Sequence, residues 1–506
     1  MDESIMEPVA EHRERPTKSF DGGQLDCGNG LLLLIRKHID PMDPGSLLEI
    51  RSSERSVQED LPSWCRLTGN ALVSWTRDGD HSSFLVRKAE TAAPRETRTA
   101  STASWEPTSP LQSLGPKAAP PIPDLAVMGI GSWPRPHWMR RAIHDHMSGR
   151  LEEQEFQSTA DDAVRLATAA QKEAGAHVLS DGEQRRDSYA SFVGGLLHNT
   201  QLIPLADLTA MVDDPAKFVE ELKALDVPAT EVRHPVVFGP LARTRPLAVH
   251  EALFVQSLSP LPIKVALPGP YLLTRTMWLD CLLERAYATR EELGADIVRV
   301  LREELEALLR IGVAVVQFDE PVLTEVVFTG AKAKRSFMCG ALSEKGAAPA
   351  ELAFARDLFN AVTAGFPSDR LAIHICRGNW TKDEGALLSG SYTPLIAHLS
   401  SLEVGTYFLE TCTPRAGEIA ALKALPEGRR IGLGVVNPRS DHVETPEEIL
   451  ARLKSARTIL GDRPLWLNSD CGFATFADNP VASAQVAASK IASMVEARRR
   501  FLSDAT

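Results

Sequence analysis

The stretch "LAIHICRGNW" (371–380) places two chemically capable side chains in an otherwise apolar run. His374 and Cys376 are two residues apart, and residues at i and i+2 of a strand point to one face. Imidazole nitrogen and thiolate sulfur are ordinary Zn²⁺ ligands, and a tetrahedral site needs two more. Cys471 in "LNSDCGF" is a third candidate. Glu410 in "YFLETC" could supply a carboxylate oxygen, and Cys412, two residues on and on the same face, competes with it. Spacing leaves that choice open. It also leaves open a plainer reading, in which His374 is a hydrogen-bonded core histidine and the cysteines act as small hydrophobes.

Carboxylates form a second group. Asp181 and Glu183 lie two apart in "SDGEQRR", and Asp319 and Glu320 are adjacent in "QFDEP". Such groups can hold an ammonium or work as general acid and base; ion pairing with Arg185 or Arg186 is the alternative use. The turn "GSWPRP" (131–136) offers backbone amides suited to a substrate carboxylate, or serves only as a proline-fixed turn.

These residues sit at the ends of short apolar runs: 126–134, 177–183, 263–270, 313–321, 371–378, 404–411, 430–437 and 464–472. Amphipathic segments at 157–174, 289–311, 349–363 and 480–500 alternate with them. Strand–helix alternation implies a parallel sheet with helices outside. Eight such units over residues 125–506 predict an α/β fold, a (β/α)8 TIM barrel. A doubly wound open sheet is the alternative, but the first run lacks a Gly-rich phosphate fingerprint. A ninth run, "HPVVFGPL" (234–241), suggests an inserted hairpin. In a barrel the carboxyl ends of the strands build the active site, and here all eight end in chemically capable or turn-forming residues.

Residues 1–124 read differently. "RKAETAAPRETRTASTASWEPTSPLQSLGPKAAPPIPD" is dense in Pro, Ser, Thr and Ala without apolar period, so a long, mostly irregular, low-complexity or disordered extension is expected. Short elements are expected at most around "GLLLLIRKHI" and "ALVSWTRDG". A net charge of −12 argues against nucleic acid or an anionic membrane as partner, and no apolar run approaches the ~20 residues of a transmembrane helix. The acidic opening "MDESIMEPVAEHRERP" is unlike a signal or transit peptide, and seven cysteines in 506 residues suggest reduced thiols; a cytoplasmic protein is expected. Nothing in the sequence sets the oligomeric state.

The ordered set "GIGSWPRP", "SDGEQRR", "PGPYLL", "QFDEPVL", "HICRGN", "YFLETC", "LGVVNPRS" and "LNSDCGFAT" resembles the catalytic barrel of the cobalamin-independent methionine synthase family, most closely its short single-barrel relatives. The resemblance covers about residues 126 to 500 and implies Zn²⁺ held by His374, Cys376, Glu410 and Cys471, favouring the glutamate over Cys412. It implies that Ile130, Gly131 and Ser132 hold the carboxylate of an amino-acid thiol, and that Glu183 and Asp319 hold its ammonium. Asp319 and Glu410 are the implied catalytic groups, and Asp181, Arg377, Asn437 and Arg439 are further candidates, with Arg377, Gly378 and Asn379 expected to form a loop bordering the substrate. The implied reaction is methyl transfer to a thiol, homocysteine foremost, from a methyl-folate-type or other donor. Alkyl transfer to another small thiol and a uroporphyrinogen-decarboxylase-like activity are the alternatives. The chain departs from the synthase pattern on the donor side, with Asn437 and Arg439 where the synthase has a histidine and Thr and Arg where it has a folate-stacking tryptophan.

Overall fold

The computed structural model describes residues 8–504 apart from 26–30, 90–115, most of 205–232, 279–285, 329–345 and positions 380, 384, 386 and 479. The core of the Pro/Ser/Thr-rich stretch, 90–115, therefore lies outside the described residues.

The short elements expected at "GLLLLIRKHI" and "ALVSWTRDG" are a helix and a strand, but residues 18–87 are more regular than an irregular extension with a few such pieces. Strands β1 (Lys18–Asp21), β2 (Leu47–Ser52), β3 (Ala71–Asp78) and β4 (His81–Arg87) form one sheet in the order β1-β2-β4-β3, with helices Leu31–Ile39 and Val57–Thr68 between strands. β1 runs parallel to β2, and β4 pairs antiparallel with β2 and β3. Ile35, Ile39, Leu48, Ile50, Leu61, Phe84 and Val86 give the unit its own core. Its strands carry only short apolar runs, such as Phe84-Leu85-Val86 in β4, set among polar residues.

The barrel begins at Leu125. A short first strand around Val127 pairs with Leu467, and a second around Leu179 pairs with Ile263, both in parallel. The antiparallel pair β5 (Leu197–Pro204) and β6 (Arg233–Arg243) is the inserted hairpin. Then follow β7 (Lys264–Pro268), β8 (Val315–Asp319), β9 (Leu371–Ile375), β10 (Thr406–Leu409), β11 (Arg430–Val436) and β12 (Leu465–Ser469), hydrogen-bonded in sequence order as one parallel sheet. Backbone bonds His177 N to Val127 O (2.8 Å) and Leu467 N to Ala126 O (2.8 Å) close the ring of eight. Helices Glu153–Glu173, Arg290–Arg310, Ala348–Thr363 and Ala484–Asp504 match the amphipathic segments read from the sequence.

Period-two alternation sorts every strand into two faces. Leu371, Ile373 and Ile375 join the core beneath the helices. Ala372 points inward with Ala126, Met128, Val178, Val315, Phe408 and Trp466. Residues 116–124 run along the base, where the Trp466 indole donates to Pro123 O (3.2 Å). The inner layer is thus packed at the bottom, and side chains near the strands' carboxyl ends are left to form a site. No helix among the described residues is long and apolar enough to cross a membrane.

Candidate metal centre and active site

Following Ala372 up β9, the next inward positions are His374 and, just past the strand, Cys376. Both are buried. Cys471, past the end of β12, brings its Sγ to 3.7 Å from that of Cys376. One ligand atom from each of His374, Cys376 and Cys471 lies within 4.8 Å of the others. Two thiolates on one tetrahedral Zn²⁺, with Zn–S of about 2.3 Å, would stand about 3.8 Å apart. The three residues fit such an ion.

The imidazole is oriented by its neighbour in register. Asp319 ends β8 directly across from His374, and His374 Nδ1 lies 2.9 Å from Asp319 Oδ1. Nε2 is left facing the thiols, 3.4 Å from Asp470 O. Burial disfavours a charged imidazole, but the hydrogen bond to Asp319 and the nearby Cys376 outweigh it and raise the His374 pKa. A hydrogen bond from Cys471 pulls the Cys376 thiol below its ordinary value and correspondingly raises Cys471.

Glu410, expected as the fourth ligand, is not part of this cluster. It is wholly buried at the end of β10, where its carboxylate accepts from Arg377 N (2.9 Å) and Asn379 Nδ2 (2.9 Å) and pairs with the Arg415 guanidinium. Cys412 is also outside: its Sγ lies 3.9 Å from Glu444 Oε1. Of the loop expected to border the substrate, Gly378 and Asn379 line the pocket that also holds the thiols, while Arg377 does not. Its guanidinium is buried against Gly390 O (2.6 Å), Ala416 O (3.0 Å) and the Tyr392 hydroxyl (3.1 Å), so it holds loops together. Arg439 Nε donates to Asn379 Oδ1 (2.7 Å), one residue removed from Glu410, and Asn437 Oδ1 receives the Arg439 N–H (3.0 Å).

One pocket joins the thiols to the other expected residues: Ile130, Ser132, Glu183, Asp319, His374, Cys376 and Cys471 all line it. Its walls approach closely. A Cβ at Gly131 would lie 2.2 Å from Glu183 Oε1, and one at Gly472 would lie 2.0 Å from Ser132 Oγ. Glu183 itself takes a left-handed backbone with φ 54°, a cost sustained when surroundings over-determine it. Arg135 Nη2 braces it through Glu183 O (2.7 Å), and Asp181 Oδ1 accepts its N–H (3.0 Å).

The arginine-pairing alternative for these acids is not realised. Arg186 binds Glu251 (2.6 Å) and Arg185 binds Asp161, while Glu183 Oε2 has no hydrogen-bond partner among the described residues. Burial pushes the Glu183 carboxyl up to about 7, with the Asp319 charge adding to the rise and Arg186 opposing it. A buried carboxylate with one oxygen lacking a partner among the described residues, facing a pocket, is suited to an incoming cation.

Several residues at the site were not singled out from the sequence. Tyr189 and Thr475 line the pocket from loops. Asp470 accepts from Thr411 N and Cys412 N (both 2.9 Å), tying the ends of β10 and β12 together. Lys264, buried inside the barrel, donates to Ile130 O (2.7 Å) and Gln317 Oε1 (2.6 Å). A lysine at an inward strand position was the available signal for it.

Fold and site together define a (β/α)8 barrel with a His-Cys-Cys centre and a carboxylate-lined pocket at its mouth. Residues 125–499 match the family described as the catalytic domain of the cobalamin-independent synthase, and the chain belongs to that family. Relatives include a protein named methionine synthase in Sulfurisphaera tokodaii, 25% identical, covering 69% of this chain and 86% of that protein. A methionine synthase of Saccharolobus solfataricus is 23% identical, with 74% and 94% covered. The 5-methyltetrahydropteroyltriglutamate–homocysteine methyltransferase of Lactiplantibacillus plantarum is 26% identical, but only 40% of its longer chain is covered. Among solved structures, a B12-independent methionine synthase from Shewanella in complex with selenomethionine superposes with a TM-score of 0.56 at 22% identity, covering 75% of this chain and all of that one. That likeness supports the barrel fold.

Proposed function

We propose that this protein is a zinc-dependent methyltransferase that methylates the thiol of homocysteine to give methionine, using a methyl-folate-type or other donor. One observation carries the reading. Two cysteine sulfurs 3.7 Å apart and a histidine share a pocket with a buried carboxylate, one oxygen of which lacks a partner among the described residues. That is a place for a metal beside a place for an ammonium, which an amino-acid thiol needs and a thiol without an amine does not.

His374, Cys376 and Cys471 would hold the ion. Zinc, when bound, supplies deprotonation of an acceptor thiol whose free pKa near 8.5 leaves it mostly protonated at neutral pH. Glu183 and Asp319 orient the amino acid by its ammonium, and the turn at Ile130, Gly131 and Ser132 receives its carboxylate. The closeness of Gly131 to Glu183 and of Gly472 to Ser132 leaves little room for water around a seated amino acid. Glu410 is proposed as the fourth ligand. Its bonds to Arg415, Asn379 and the Arg377 N–H give that carboxylate a charge-compensated position away from the ion.

The cysteines separate this reading from a structural one. Cys471→Ser should lose zinc and methionine formation together, because it removes one of three converging ligands. Cys412→Ser should retain both, within about twofold, as an exposed or half-buried site outside the cluster would. Zinc loss from the Cys412 variant with retention in the Cys471 variant would refute the ligand assignment. The unmatched donor side, including Asn437 and Arg439, bears on the methyl donor, and alkyl transfer to another small thiol is the alternative on the acceptor side. A panel of thiols with and without an amino group distinguishes it.

A further inference from the structure

Lys264, at the start of β7 and deep inside the barrel, is linked to His374 by an unbroken run of hydrogen bonds. Its ammonium donates to Gln317 Oε1 (2.6 Å). Gln317 Nε2 donates to Asp319 Oδ1 (2.7 Å). The same Asp319 oxygen lies 2.9 Å from His374 Nδ1. Gln317 and Asp319 are two apart on β8 and share its inward face, and Asp319 is opposite His374 in the ladder. A second Lys264 bond, to Ile130 O (2.7 Å), reaches the turn after the first barrel strand, and the Phe408 ring lies 4.3 Å from Nζ. All four members of the run are buried.

The polarity of this run follows from its ends. An ammonium has donors only and an ionised carboxylate has acceptors only. A primary amide between them fits one way, with its oxygen toward Lys264 and its nitrogen toward Asp319. Asp319 Oδ1 then accepts from Gln317 and requires a donor on His374 Nδ1. The proton is thereby placed on Nδ1, and the lone pair on Nε2, the nitrogen facing Cys376 and Cys471. A metal needs that lone pair.

We propose that Lys264 is a positioning residue for the metal centre, acting through Gln317 and Asp319 to fix the ring orientation and tautomer of His374. This rests on the metal-centre reading above and extends it two residues beyond the group in contact with the ligand. The Ile130 bond makes the same ammonium an anchor for the substrate turn, so one buried side chain spans the two ends of the site.

The test measures Zn²⁺ affinity by chelator competition on the full-length chain, with thermal unfolding of the metal-free protein run alongside. Lys264→Met leaves Gln317 Oε1 without its donor, and should weaken zinc binding by about 10–100-fold, the usual range for outer partners of a metal ligand. Gln317→Glu is the discriminating variant. It keeps volume and gives Lys264 a carboxylate to pair with, so a purely fold-supporting role for Lys264 would survive. It also turns an acceptor toward Asp319, and zinc binding should weaken comparably. If Lys264→Met does not fold, the Gln317 variant decides alone. Zinc affinity within about twofold of the parent in a folded variant would overturn the proposal. A parent chain that binds no zinc would instead overturn the metal-centre reading, and this inference with it.

Discussion

Glu183 has the least ordinary surroundings of any acid in the site: buried, left-handed in backbone, and with one oxygen lacking a partner among the described residues. Burial lifts its pKa to about 7, which dictates the sign of two effects. Holding an ammonium requires the ionised form, so affinity for methionine, which has no thiol to titrate, should rise about tenfold per pH unit up to about pH 7 and level off above. Calorimetric titration from pH 5.5 to 8.5 measures this, and a flat profile would remove Glu183 from the binding role. Stability runs the other way. The folded-state pKa lies above the unfolded value, so this group's contribution is full at low pH and is lost as pH rises through about 7. Glu183→Gln should therefore weaken methionine binding by about 10–100-fold, as loss of a charged partner does, yet raise the melting temperature at pH 8 and not at pH 5. His374, Cys376 and Cys471 could be picked out from residue type and spacing because chemistry needs those groups. The Glu410–Arg415 pair could not, since nothing in "ETCTPR" tells which way a buried carboxylate will turn.

The strand ends do the positioning, and their glycines are constrained by it. Gly131→Ala would drive a Cβ to 2.2 Å from Glu183 Oε1, and the Glu183 carboxylate would have to move. The expected outcome is a KM for homocysteine raised about tenfold or more with zinc content unchanged, measured by steady-state kinetics and metal analysis. Equal losses of zinc and turnover would instead mean that the turn supports the metal centre. The barrel strands were legible because helices cover their outer face and the inner face is largely apolar, so both alternate positions are apolar and the runs stand out. In the amino-terminal unit the stretches "GLLLLIRKHI" and "ALVSWTRDG" stood out, and the remaining strands were missed because polar residues break them: β2 buries Leu48 and Ile50 and exposes Arg51. Lys264 was overlooked for a related reason, since a single lysine in "IKVALPGP" looks like a break in an apolar strand and its partners lie 134 and 53 residues away.

At the scale of the whole molecule, residues 18–87 and the barrel from Leu125 each carry a core, and every residue of the candidate site comes from the barrel. Its chemistry gathers in one pocket where His374, Cys376 and Cys471 adjoin Glu183 and Asp319. The two sulfurs in it stand 3.7 Å apart. The most direct test of the account is X-ray absorption at the zinc edge of the full-length protein, without and with homocysteine. The expected spectrum without it has two sulfur ligands and two lighter ones. With homocysteine, one sulfur should be gained and one lighter ligand lost. A zinc shell unchanged by saturating homocysteine would contradict thiol activation at this centre.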